Sequence, residues 1–286
     1  MLFGANTNSI LGPEPDAPDP IQLVLDRLRE LIEDYQVDAI ELSVDELLLH
    51  PSLRTPEAFA AIGDFQQQRA IPFTVHLPFL WIDLSSADEL IRAVSVQRMS
   101  EVLQLTQPLD VRSYVVHATG MLAEVAGPSI TDPEQDIRVQ ISRRSIGNSL
   151  SELREAFPSA PLAVENLPGI PFEWQAEYVV ANDLGICCDI GHALLRLEDP
   201  VAFIETWADR LLQLHVHGVR QISFRAGMYL RRDHQRLGGP GELVDTPRII
   251  STLRRVGFEG PVILEVDGRF DDGLRHSLAT LRSAAG

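Results

Sequence analysis

The 286-residue sequence predicts an α/β protein, a single (β/α)8 TIM barrel spanning residues 1–286, and three observations carry that expectation. Short, β-rich apolar runs alternate with longer amphipathic stretches from one end to the other, the pattern of strand–helix units in a parallel sheet. The runs number eight, so the last strand can pair with the first and leave no open edge. No Gly-x-Gly-x-x-Gly or phosphate-loop string follows any run, which removes the main positive sign of an open, doubly wound sheet.

In order, the expected strands are LFGANTN (2–8), AIELSVD (39–45), PFTVHLP (72–78), SYVVHAT (113–119), PLAVENL (161–167), GICCDIG (185–191), LLQLHVHG (211–218) and PVILEVD (261–267). Helical stretches, in which apolar positions recur at spacings of three and four, include 20–35, 87–107, 133–157 and 245–257. DPIQLVLDRL carries a start signal, with Asp19 as N-cap and Pro20 at the first helical position. The longest connection, 219–244, follows the seventh strand and contains RAGMYLRRDHQRLGGPGEL. A connection that long in a compact domain is usually functional.

Composition narrows the classes of function. With 45% hydrophobic residues the chain can bury a full core, yet no run approaches the ~20 apolar residues of a membrane span. The start MLFGANTNSI has no basic region, apolar core and cleavage site in succession, so the cytoplasm is the expected compartment. Lys plus Arg total 24 against 41 Asp plus Glu, a formal net charge of -17 that repels a phosphate backbone. A small molecule is therefore expected as substrate, and not nucleic acid or a membrane; a homodimer is left open. Cys187 and Cys188 are adjacent, cannot form an ordinary bridge with each other, and read as buried strand residues.

Six of the eight histidines, His76, His117, His192, His215, His217 and His234, fall at the C-terminal ends of expected strands or just beyond. Barrel enzymes assemble their chemistry at that edge. Glu165 in AVENLPG, Asp189 in CCDIGHA and Glu265 in ILEVDG lie there too, inside or just after apolar runs. A buried carboxylate needs a cation or hydrogen-bond donors to offset its desolvation. Imidazole with carboxylate and no thiolate suits a divalent ion such as Zn, Mn, Fe or Co. Glu165, Asp189, His215 and Glu265, from strands five to eight, would converge on one ion. His76 and His117, from strands three and four, would hold a second that shares Glu165. Two such ions can activate a water and neutralise both the attacking and the leaving oxygen of a phosphodiester.

The remaining candidates keep two readings each. His215 and His217 are two apart and share a strand face, so one is expected as a ligand and the other as a substrate contact or a donor to a ligand. His192 is either a ligand or a substrate-facing residue. Phe79 and Trp81 form either an apolar wall for a ligand or part of the core or rim. Glu242 in GGPGELVD lies either near the mouth or at a helix N-terminus. His50, His276 and Asp233 read as structural.

Taken in order, HLP, HATG, VENLPG, DIGHA, HVHG, HQRLGGPG and LEVDG resemble, over nearly the whole chain, the xylose isomerase-like barrel superfamily of sugar isomerases, epimerases and endonuclease IV. The resemblance implies Glu165, Asp189, His215 and Glu265 as a common metal site, which sugar epimerases use with the two glutamates transferring protons. The endonuclease branch adds histidines matched by His76 and His117, and a third site matched by His192 and His234. Arg232 stands where that branch carries Asp, so a third ion would depend on Asp233 as a substitute ligand. The strings VHLPF, WIDL, HVHGV and RDHQRL are further similar to the cobamide-remodelling phosphodiesterases, which cleave the nucleotide-loop phosphodiester of corrinoids.

The expectation that follows is a metal-dependent hydrolase, a phosphodiesterase of a small molecule, with one to two ions and a metal-bound hydroxide attacking phosphorus. Glu165, Glu265, His192 and His234 would serve catalysis, and His217, His192, His234 and Trp81 would contact substrate. One alternative is a metal-dependent sugar or sugar-phosphate isomerase or epimerase with Glu165 and Glu265 moving the proton. The other is a non-catalytic ligand-binding barrel.

Overall fold

The apolar runs fold into strands that stop earlier than their sequences suggest, each ending where the polar residues begin. A computed structural model describes residues 1–9, 19–47, 50–120, 135–225, 228–266 and 272–286. Its strands are β1 (Leu2–Asn6), β2 (Ala39–Ser43), β3 (Phe73–His76), β4 (Val111–Val116), β5 (Leu162–Glu165), β6 (Gly185–Asp189), β7 (Leu211–Val216), β8 (Gly218–Arg225), β9 (Met228–Gln235) and β10 (Pro261–Leu264). Eight of them close a parallel barrel in the order β1-β10-β7-β6-β5-β4-β3-β2. The seam is β1 on β10, with Leu2 opposite Pro261 and Ala5 opposite Leu264, so the barrel has no free edge.

The connecting helices follow the sequence signals closely. The stretches expected at 20–35, 87–107, 133–157 and 245–257 form Pro20–Glu33, Glu89–Leu105, Ile137–Ala156 and Thr246–Arg255. Asp19 accepts the Gln22 backbone N–H at 3.0 Å, and Asp88, Asp136 and Asp245 cap the other three in the same manner. Each such cap contributes about 1 kcal/mol. Helix Pro20–Glu33 buries Val24, Leu28 and Leu31 against the barrel, part of the apolar layer that fills the space between strands and helices.

Inside the barrel the packing is different in kind. Glu41, Thr74, Ser113 and Gln213 are fully buried and hydrogen-bonded to one another, forming a polar layer beneath the rim. The long connection 219–244 carries secondary structure of its own. Strands β8 and β9 pair antiparallel there, from Gly218 opposite Gln235 to Arg225 opposite Met228. Polar and apolar residues alternate with strand period only over QISFR, too short a run among charged residues to announce a strand. Among the described residues no helix is long and apolar enough to cross a membrane.

Candidate metal centre

Strand ends deliver the polar side chains to one rim. His76 closes β3, Glu165 closes β5 and Asp189 closes β6, His215 lies in β7, and His117 and Glu265 directly follow β4 and β10. They surround a cavity of about 420 Å³ lined by His76, His117, Glu165, His192, His234 and Glu265, with Phe79, Pro168 and Val266 as its apolar wall. Asn6, Asn8, Ser43 and Asp233 complete the lining.

Glu165, Asp189, His215 and Glu265 each offer a ligand atom within 4.8 Å of the others. His215 Nδ1 lies 3.3 Å from Glu165 Oε1 and 3.5 Å from Glu265 Oε2. Neither His215 Nδ1 nor Glu165 Oε1 has a hydrogen-bond partner, although both are buried. Buried polar atoms are almost always satisfied, so two orphans facing each other among three carboxylates could hold a cation between them. One imidazole nitrogen and three carboxylates fit a divalent metal ion.

Glu165 is approached on both oxygens. On Oε2, His117 Nε2 lies at 3.0 Å and His76 Nε2 at 3.5 Å; on Oε1, His192 Nδ1 lies at 3.2 Å beside His215. His76, His117 and Glu165 form a second group with metal-ligand spacing, and Asp189, His192 and His217 a third. His192 stands in the short helix Ile190–Leu195, where its Nδ1–H donates to the Asn166 carbonyl at 3.0 Å.

His217, expected to contact substrate, is fully buried and is not among the residues that line the cavity. Its Nδ1 accepts the His234 backbone N–H at 3.0 Å, which leaves the proton on Nε2, 3.2 Å from Asp189 Oδ2. It donates to Asp189, one of the four residues that could hold an ion. Trp81 is 79% exposed and off the cavity, whereas Phe79 faces inward with its ring 4.3 Å from that of His117. Asp45 fixes this turn by accepting the N–H groups of Phe79 and Leu80 at 2.8 and 3.2 Å. Asp233, read from sequence as structural, lines the cavity beside His234. Glu242 Oε1 caps the backbone N–H groups of Val219, Leu243 and Val244. His50 and His276 do not line the cavity.

The charges hold one another. Burial alone would raise Glu165, but the imidazoles of His215 and His117 outweigh it and keep the carboxyl well below its usual range. Against the same burial, His192 and His217 lower Asp189, and His215 and His234 lower Glu265. Burial in turn depresses the imidazoles, yet Glu165 and Glu41 lift His76 to about 9, and Asp189 and Glu165 lift His192 to about 9. His234 rises to about 10 against burial, through Asp233 and Glu265. Burial pushes the Cys187 and Cys188 thiols well up.

A sequence model of the xylose isomerase-like TIM barrel matches residues 25–284. The chain belongs to that family. An uncharacterized protein of Methanocaldococcus jannaschii is 23% identical over 222 residues, 76% of this chain and 77% of its own. A D-tagatose 3-epimerase-like protein superposes with a TM-score of 0.75 at 19% identity, over 99% of this chain and 97% of its own. A 3-keto-D-glucoside 4-epimerase from E. coli gives 0.74 at 18% identity over 99% of each chain, and a D-psicose 3-epimerase 0.71 at 15% over 100% of each. At these identities the likeness establishes the shared barrel. All three bear the names of sugar epimerases, and none is named as a hydrolase.

Several residues around this xylose isomerase-like centre escaped the sequence reading. Asn166 bonds the Asp189 backbone twice, at 2.7 and 2.9 Å, and Gln175 donates to the Glu165 carbonyl at 2.8 Å. Asn6 Nδ2 bridges Glu41 and Glu265 at 2.8 and 3.0 Å. Only Glu41 left a signal, a carboxylate inside the apolar run AIELS.

Proposed function

We propose that this barrel is a divalent-metal-dependent isomerase or epimerase of a small polyhydroxylated carbonyl compound, a ketose or its phosphate, with Glu165 and Glu265 moving the proton. The observation that carries this reading is a division within the quartet. Glu165 and Glu265 reach the cavity wall, while Asp189 and His215 stay beneath it. The two glutamates stand on strands three staves apart in the eight-strand ring, and so approach a bound molecule from different sides.

The ion, when bound, would polarise the substrate carbonyl and acidify the adjoining C–H. Both glutamates are held ionised by imidazoles, so either can accept that proton. His192 beside Glu165 and His234, 3.7 Å from Glu265 Oε2, supply protons for its return. The cavity of about 420 Å³ suits a monosaccharide, near the lower end of the ~300–1,000 Å³ of small-molecule sites.

The test is proton NMR in D2O with Mn²⁺-loaded protein and a panel of ketoses, ketose phosphates and 3-keto-glycosides. Deuterium should enter the carbon next to the carbonyl as a new stereoisomer appears, and chelator, Glu165→Gln or Glu265→Gln should stop it. A panel with no metal-dependent exchange would sink the reading.

The two-sided approach to Glu165 favours a second reading. His76, His117 and Glu165 would hold a further ion, and the site would hydrolyse a phosphodiester in a small molecule such as a cobamide. Metal analysis separates the two. His76→Ala would then lower two equivalents to one and abolish hydrolysis of a corrinoid, whereas the epimerase reading expects one equivalent in both proteins.

A further inference from the structure

Glu41 lies outside the cavity lining, is fully buried in β2, and no metal-ligand group includes it. It nevertheless touches one member of the quartet, His215, and reaches a second, Glu265, through Asn6. Its Oε1 lies 3.1 Å from His215 Nε2 and accepts Asn6 Nδ2 at 2.8 Å, and the same Asn6 amide donates to Glu265 Oε1 at 3.0 Å. Oε2 lies 3.2 Å from the same His215 Nε2 and receives Thr74 Oγ1 at 3.2 Å and the Gln213 amide, whose nitrogen also stands 2.8 Å from His215 Nε2. Every polar neighbour of the carboxylate is thus a donor, and no lysine or arginine among its hydrogen-bond partners neutralises it.

A neutral imidazole has one N–H and one lone pair; against Nε2 the Gln213 amide favours a lone pair and the Glu41 carboxylate an N–H, and the carboxylate, charged and presenting both oxygens, is the stronger partner. With the proton on Nε2, the lone pair of His215 stands on Nδ1, the atom that faces Glu165 and Glu265 without a hydrogen-bond partner. We infer that Glu41 is the positioning residue of the metal centre. It fixes the tautomer and ring plane of His215, holds Glu265 through Asn6, and strengthens His215 as an electron donor to a divalent cation. Carboxylates that orient a ligating imidazole in this way raise metal affinity about 10–100-fold.

The inference rests on the metal reading of the quartet, and the experiment keeps the two apart. Mn²⁺ and Zn²⁺ binding are measured by calorimetry and chelator competition on wild type and Glu41→Gln, each checked for folding by circular dichroism. Glutamine keeps the shape, but turns an amide N–H₂ toward donors. A loss of about 10–100-fold in affinity with the fold retained is the expected result. Equal affinity in both proteins overturns the role of Glu41 while leaving the metal centre standing, and a wild type that takes up neither ion overturns both. Long-range ¹⁵N–¹H spectra of the Zn²⁺-loaded wild type read the tautomer directly, whether or not the variant folds. A proton on Nε2 of His215 is expected; a proton on Nδ1 would refute the assignment.

Discussion

Gly191→Ala tests the internal support of the metal centre through one added methyl group. Gly191 is in the first turn of the helix Ile190–Leu195, and a Cβ there would fall 2.0 Å from His217 Cε1 and 2.6 Å from both ring nitrogens. Ordinary contact begins near 3.4 Å, so the ring must retreat by roughly 1.4 Å. It has no open space to enter, being fully buried and stacked 4.2 Å from the ring of His234. A retreat of that size takes its 3.2 Å contact with Asp189 and its 3.0 Å bond from His234 N–H beyond hydrogen-bond reach. Overpacking costs about 1–3 kcal/mol, and the two bonds about 2–4 kcal/mol together. With partial relaxation the expected loss is about 4 kcal/mol, or roughly 8 °C in Tm for a chain of this size. Urea unfolding of the metal-free protein measures it, with Gly257→Ala as reference. Gly257 has φ +72° and nothing within 4 Å of the position a Cβ would take, so alanine there meets backbone strain alone, about 1–2 kcal/mol. If Gly191→Ala costs no more than Gly257→Ala and binds metal as tightly as wild type, His217 is not wedged under Asp189 and does not support the metal centre.

The stability of the metal-free protein should fall on both sides of a maximum near pH 5–6.5. The folded values of His76, His192 and His234, about 9, 9 and 10, lie above the ordinary 6.5, so their stabilisation is complete below 6.5 and lost as pH rises through 9–10. Glu165, Asp189 and Glu265 are lowered, so theirs is present above the usual carboxylate range and lost as pH falls through the depressed values. A flat unfolding midpoint between pH 6 and 10 would contradict this pairing. Metal uptake at pH 7 should release protons, because ligating imidazoles must be neutral; calorimetry in buffers of different ionisation enthalpy reads the number, and zero would exclude imidazole ligands. Asp45→Ala should cost about 1–3 kcal/mol by freeing the N–H groups of Phe79 and Leu80, and raise KM more than it lowers kcat as the Phe79 wall loosens.

How far the sequence discloses this centre depends on which partner a residue serves. His76, Glu165 and Asp189 end their strands, and a polar side chain closing an apolar run is visible in the letters alone. Asn166 and Gln175 act on backbone atoms of Asp189 and Glu165, and nothing in an asparagine or glutamine shows which peptide group it will meet. The choice between Phe79 and Trp81 was undecidable for a similar reason. It is made by Asp45, whose carboxylate reaches across from the segment after β2 and turns Phe79 inward. His217 gained its place beneath the site only when β9 returned beside β8 and brought the His234 N–H to its ring.

Glu41 is the instructive case, because the rule that finds Glu165 in LAVE applies equally to Glu41 in AIELS. What sets it apart is its place one layer below the rim. Side chains two apart on a strand share a face, so Glu41 lies one layer below Ser43, and Gln213 one layer below His215. The interior of this barrel is therefore continuous in polarity, from the cavity wall down through His215 to Glu41 and Gln213. A polar layer at that depth forfeits the apolar packing that would fill the barrel at less desolvation cost. Thr74 and Gln213 converge on one carboxylate, with Ser113 holding Gln213 from behind, and that carboxylate meets the Nε2 side of His215, so the stability given up in this layer would serve to position the proposed metal centre.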